Sequence, residues 1–166
     1  ESGNMRAQIK EIDEIVIAGR KFLNVMPNEN ENFSLDFTKE WTKFFEDIKD
    51  VYDMSNYKEA FGLSENHKMI DGKVAMDYVI CMRKEAFDKI SSDFVVETIA
   101  GGKYAVYTYK GKIEDNKMRD FWNDIYSKWL SEDNLEPLMG QSFEYYDHRW
   151  QGDSENSELD IYIPIK

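Results

Sequence analysis

The chain has 166 residues, enough for one domain that buries a core without disulfides or metals. Its net charge of −12, from 33 acidic against 21 basic residues, argues against direct nucleic-acid binding and against docking on an anionic membrane, and favours cationic partners. The single cysteine, with no apolar run of membrane length and no signal-peptide pattern, points to a reducing cytoplasm.

Glu1 to Asn4 precede Met5 and read as an expression remnant, so a single domain is expected over 5–166. From Gln8 to Phe22 apolar and polar residues alternate around Ile12, Ile15 and Ile17, the period of a strand. Pro27 and the run Asn28 to Asn32 read as a solvated loop. Ser34 is placed to cap a helix whose apolar positions, Phe37, Trp41, Phe44, Phe45, Ile48 and Tyr52, fall three and four residues apart. Tyr57 to Leu63 and Ala75 to Arg83 read as a strand pair joined by the polar stretch Ser64 to Gly72. Cys81 lies in the apolar run of that second strand, where an inert core thiol is expected.

The second half follows the same plan. Phe94 to Ile99 and Lys103 to Lys110 are strand-like, with Gly101-Gly102 between them. Met118 to Leu130 carries Phe121, Trp122, Ile125 and Trp129 on one helical stripe. Ser142 to Trp150 and Leu159 to Ile165 are the closing strands, around the acidic loop Gln151 to Glu158. The expected fold is α+β: two pseudo-symmetric β-α-β-β repeats, about 5–85 and about 92–166, forming a mainly antiparallel sheet with two helices packed on it.

The repeat is also visible residue by residue. Ile17-Ala18-Gly19 returns as Ile99-Ala100-Gly101, an offset of 82 (99 − 17). Trp41 returns as Trp122, offset 81, and Asp77 as Asp160, offset 83. Two copies imply one domain with a pseudo-twofold axis rather than a solenoid, and pockets form at the seam between such halves. Aromatic residues make up 14% of the chain, more than a small core needs, so some are expected to line a cavity there.

Four phrases of the second half carry a resemblance. Ile99-Ala100-Gly101-Gly102-Lys103-Tyr104-Ala105-Val106-Tyr107-Thr108-Tyr109-Lys110-Gly111 and Trp122-Asn123-Asp124-Ile125-Tyr126-Ser127-Lys128-Trp129-Leu130 are two of them. Phe143-Glu144-Tyr145-Tyr146-Asp147 and Asp160-Ile161-Tyr162-Ile163-Pro164-Ile165 complete the set. They are similar to the "IPAGKYAVFTHKG", "W-x-x-I-Y-x-x-W-L", "F-E-x-Y-D" and "D-I-Y-I-P-V" segments of GyrI-like small-molecule-binding domains. Ala100 departs from the proline common in the first segment. The resemblance implies two pseudo-symmetric repeats and a groove between them that takes hydrophobic, often cationic, small molecules. The family forms the effector-binding domain of AraC-type and MerR-type multidrug regulators, and also occurs alone, as gyrase-inhibitory proteins or as hydrolases of cyclopropane-bearing natural products. No helix-turn-helix fits before the first strand, so a regulatory role calls for a partner.

Glu144 matches the family's drug-contacting acid. On a strand, Glu144 and Tyr146 share one face, Phe143 and Tyr145 the other. A carboxylate among aromatic rings is poorly solvated, so its pKa rises or a ligand cation pairs with it. Tyr78 is placed to face Glu144 across the groove, Trp129 to reach it from the helix, and Tyr109 and Tyr162 are weaker candidates for its walls. Trp122 is assigned to core packing. His67 and His148 stand at no metal-ligand spacing, and Asp147 and His148, adjacent on a strand, point apart. No cofactor or metal is expected.

The leading expectation is a stand-alone cytoplasmic binding protein for hydrophobic, cationic small molecules, with Glu144, Tyr146, Tyr78, Trp129, Tyr109 and Tyr162 as contacts. The alternative is a hydrolase in the same groove, Glu144 serving as general base and Tyr146 or Tyr78 positioning water or assisting the leaving group. A third reading is an acidic protein inhibitor of a topoisomerase. A protein partner or a homodimer is compatible with each.

Overall fold

The first alternating segment breaks at Asp13-Glu14 and forms two strands rather than one, β1 (Gln8–Ile12) and β2 (Ile15–Val25). In the computed structural model, which describes residues 6–27, 33–53, 55 and 58–166, these are followed by α1 (Phe37–Ile48) and a long hairpin, β3 (Ala60–Ile70) and β4 (Lys73–Arg83). The second half contributes β5 (Val95–Ile99), β6 (Gly102–Lys110), α2 (Asp115–Asp124), β7 (Ser142–Tyr146) and β8 (Glu158–Pro164). Helix α2 continues through a π-helical turn, Ile125–Trp129, into Leu130–Glu132. The expected loop at Asn28 to Asn32 and the expected strand start at Tyr57 lie outside the described residues.

All eight strands join one antiparallel sheet in the order β1-β6-β8-β7-β3-β4-β2-β5. The α+β class and the two-repeat plan hold: each repeat is β-β-α-β-β, the first with one strand more than expected and the second with the four strands expected of it. The leading strands are exchanged: β1 pairs with β6 of the second repeat, β5 with β2 of the first. Two residues, Asp13 and Glu14, separate β1 from β2, although those strands stand near opposite ends of the sheet order. The sheet therefore curls until its ends approach. Gly101 sits at this closure, where a Cβ would stand 2.8 Å from the Glu14 amide nitrogen.

Curling separates two apolar environments. The inner face carries Ile17, Phe61, Leu63, Val79, Tyr104 and Phe143, drawn from both repeats. The outer face is covered by the helices: Phe44 and Ile48 of α1 pack over Ile80 and Met82, and Ile125 and Leu130 of the second helix pack over Tyr107 and Ile161. Asp36, not Ser34, caps α1, its Oδ1 accepting from the Lys39 N–H at 3.1 Å. Ser34 Oγ instead accepts from the Met26 amide.

The offset of the repeat is not uniform. Gln8 and Val95, which open β1 and β5, are 87 residues apart, as are Ile12 and Ile99, which close them. Ile17 and Ile99 are therefore not equivalent: Ile99 ends β5 and faces Ile15 across the ladder. The helices keep the offset of 81, with Phe44 and Ile125 both fully buried. Bulges between Phe22 and Val25 and between Glu65 and Lys68 occur in the first repeat alone among the described strands, so no single shift relates the halves.

Candidate functional site

Midway along the sheet order the repeats meet at the β3–β7 pair, where Gly62 stands directly opposite Glu144. Strand parity sends Phe143 and Tyr145 to the inner core and turns Glu144 and Tyr146 towards the helices. A Cβ on Gly62 would lie 2.3 Å from both Glu144 Oε1 and the Tyr78 hydroxyl, so only glycine lets the carboxylate lie down over β3. The Tyr78 hydroxyl donates to Glu144 Oε1 at 2.7 Å, and the Tyr146 hydroxyl donates to the same oxygen at 3.3 Å. Trp41 Nε1–H donates to the Tyr78 oxygen at 3.1 Å and fixes that donor in turn.

Aromatic rings surround this chain of bonds. Phe37 meets Tyr78 edge-on at 4.9 Å, while Trp41 and Trp150 each meet Tyr146 at 5.2 Å. Phe45 extends the run from Trp41 and is 40% exposed; Trp150 is 39% exposed. Tyr78 is buried, whereas Glu144, Tyr146 and Trp41 are half-buried. The carboxylate is thus densely surrounded and still reachable.

Burial pushes the Glu144 carboxyl up to about 7, although the phenol donors Tyr78 and Tyr146 favour its charged form. Among the described residues no cationic side chain contributes to that balance. Burial, and then the neighbouring carboxylate, holds both phenols well above their ordinary value, so they remain donors at neutral pH. The arrangement is a carboxylate oriented by two phenols and, among the described residues, without a cation of its own.

Of the six residues expected at the site, Glu144, Tyr146 and Tyr78 converge. Trp129 shares the helix-covered face but stacks on Tyr107 at 5.8 Å, with the Arg6 guanidinium 4.4 Å over its ring. Tyr107 is separated from Glu144 by Ile161 in the ladders, two strands or about 10 Å away. Tyr109 is buried, its hydroxyl bonded to the Lys112 carbonyl and its ring edge-on to Phe121. Tyr162 pairs with Phe143 in the ladder and stacks on it at 4.5 Å, inside the curled sheet and on the opposite face from Glu144. These three do not join the cluster.

Trp41, Gly62 and Trp150 join the cluster without having been expected there. Trp41 was one apolar position among several on a helical stripe; Gly62 was legible as a lone glycine inside a strand, the usual mark of a close approach. Trp122 packs against the core as expected, half-buried, and also stacks on the exposed Tyr126. Asp147 and His148 follow the end of β7 rather than lying on it, and Asp147 is bonded to Arg149, which also holds Asp160. Cys81 is fully buried, its thiol pushed well up by burial. Among the described residues, no three His, Cys, Asp or Glu side chains form a metal-binding group, and no helix is long and apolar enough to cross a membrane.

The model of a family described as Cass2, integron-associated effector binding protein, matches residues 8–165. The transcriptional regulator BrlR of Pseudomonas aeruginosa is 27% identical over 163 residues. That match covers 98% of this chain and 56% of the regulator, so the chain spans about half the length of this curated relative. Among solved structures, SAV2435 bound to tetraphenylphosphonium is similar with a TM-score of 0.65 at 19% identity, covering 98% of this chain and 94% of that one. The integron cassette protein from the mobile metagenome of Vibrio cholerae is similar with a TM-score of 0.62 at 20% identity, covering 96% and 95%. Likeness at these identities shows a shared fold.

Proposed function

The chain belongs to the family of integron-associated effector-binding proteins, and from that premise we propose that it binds hydrophobic, cationic small molecules in a groove between its repeats, with Glu144 receiving the charge. One observation carries this reading: a half-buried carboxylate held by Tyr78 and Tyr146, without a cation partner and bordered by Trp41 and Tyr146. A lipophilic cation supplies the missing counter-charge and a flat apolar body for the rings. The tetraphenylphosphonium on the similar SAV2435 is a ligand of that description. Trp41, Tyr146, Tyr78 and Glu144 are the proposed contacts, with Phe45 and Trp150 at the rim. The role is sensing or sequestration, and any contact with DNA is made through another segment or partner, because the acidic surface repels the backbone.

Titration calorimetry with tetraphenylphosphonium tests this directly. Glu144→Gln keeps the shape and removes the charge, and cation affinity should fall on the order of a hundredfold. A neutral aromatic ligand should be little affected. Equal cation affinity in the two proteins would move the site elsewhere.

A hydrolase remains the second reading, favoured by one feature: a carboxyl poised near 7 beside a phenol that stays protonated suits a general base with an adjacent proton donor. Under it, Glu144 activates water and Tyr146 or Tyr78 assists the leaving group. Incubation with an electrophilic cyclopropane, followed by mass analysis, should then reveal a ring-opened, hydrated product that Glu144→Gln does not form.

A further inference from the structure

The two oxygens of Glu144 are not equivalent. Both phenol donors, Tyr78 and Tyr146, address Oε1, and no described residue donates to Oε2. Among the described residues no fully buried side-chain oxygen or nitrogen lacks a partner, so the unpartnered Oε2 must reach solvent. The carboxylate cannot easily turn to exchange the two. Its Oε1 rests over Gly62, and the Tyr78 hydroxyl that grips it is itself held by Trp41 Nε1. The protein therefore presents one oriented acceptor, its lone pairs unused, next to the half-buried rings of Trp41 and Tyr146.

Resting on the function proposed above, we infer that the site selects cations carrying an N–H donor, namely protonated aryl-alkyl amines, over quaternary ammonium or phosphonium ions of the same size. A quaternary centre is shielded by its carbon substituents and meets the carboxylate through charge alone. A protonated primary, secondary or tertiary amine places an N–H on Oε2 and gains a directed, charge-assisted hydrogen bond with its aryl groups still on the rings. Tyr78 and Tyr146, already committed to Oε1, fix the direction from which that N–H must arrive.

The test compares three matched probes by calorimetry at about pH 8, where Glu144 is ionised and an aliphatic amine remains protonated. They are a diphenylmethoxyethyl dimethylamine, its N-methylated trimethylammonium analogue, and the neutral isostere with isopropyl in place of dimethylamino. The amine should bind about tenfold more tightly than the quaternary analogue, and both more tightly than the isostere. The amine's advantage should vanish in Glu144→Gln. A quaternary analogue that binds as well as the amine overturns the N–H selectivity while leaving the cation site in place. An advantage that persists in Glu144→Gln overturns it too, by placing the acceptor elsewhere. If neither cation binds better than the isostere, the proposed function itself fails. The comparison on the unaltered chain needs no variant to fold.

Discussion

Gly62→Ala probes the packing on which the site depends. The added Cβ would lie 2.3 Å from Glu144 Oε1 and from the Tyr78 hydroxyl, against an ordinary contact of at least 3.4 Å, so something must move by 1.1 Å. Tyr78 is poorly able to do so: it is buried, its ring is braced by Phe37 and its hydroxyl is held by Trp41. The carboxylate takes the displacement and its 2.7 Å bond from Tyr78 is lost. A hydrogen bond that favours the charged form contributes about 1.5–3 kcal/mol to ionisation, so near pH 7 the ionised fraction that pairs with a cation, and with it the apparent affinity, should fall roughly tenfold. Overpacking should also cost about 1–3 kcal/mol of stability, read from urea denaturation. The Glu144 titration should move upward, because a donor that favours the charged form is gone. Calorimetry with tetraphenylphosphonium and carbon-13 NMR of the Glu144 carboxyl read the two effects separately. Parental affinity, parental stability and an unmoved titration together would refute the argument that glycine is required at this point of the seam.

Cation affinity should rise about tenfold between pH 6 and pH 8 and level off above, since a carboxyl titrating near 7 goes from roughly one-tenth to nine-tenths ionised over that range; calorimetry at four pH values would show it. In the free protein the folded value is raised above the ordinary 4.5, so the stability that Glu144 contributes is fully present below about 4.5 and is lost as pH rises through about 7. The loss should be on the order of 2 kcal/mol after discounting for partial exposure, and Glu144→Gln should remove that part of the pH dependence of urea unfolding. Tyr78→Phe should leave Glu144 Oε1 with Tyr146 alone, raise its titration and weaken cation binding about tenfold, measured in the same titrations. Cys81→Ala should lower stability by about 1–2 kcal/mol and leave binding unchanged.

The parts of the site that could be read from the sequence are those set by strand parity. Glu144 and Tyr146 fall on one face of β7 for the simple reason that they are two residues apart, and the "F-E-x-Y-D" resemblance is what singles that face out. Tyr162 lies apart from Glu144 because its face depends on cross-strand register, which pairs it with Phe143 and so commits it to the interior. No local pattern states that register. Trp129 and Tyr109 stand apart from Glu144 for a related reason: each is aromatic and on the helix-covered side, but neighbours in the fold, Tyr107 and Phe121, claim their rings. The exchange of β1 and β5 was hidden because alternation runs through Asp13-Glu14 with hardly a break, while the chain crosses there from one end of the sheet order to the other. Trp41 looked like every other apolar residue on its stripe; what distinguishes it is the hydrogen bond to Tyr78, a tertiary fact.

The most direct measurement is a crystal structure of the protein with tetraphenylphosphonium bound. The cation should lie at the seam between the repeats, its phosphorus facing Glu144 and a phenyl ring against Trp41 or Tyr146, with the Tyr78–Glu144 bond intact beneath it. A cation lodged inside the curled sheet beside Tyr162, or on Trp129 away from Glu144, would contradict the proposed site.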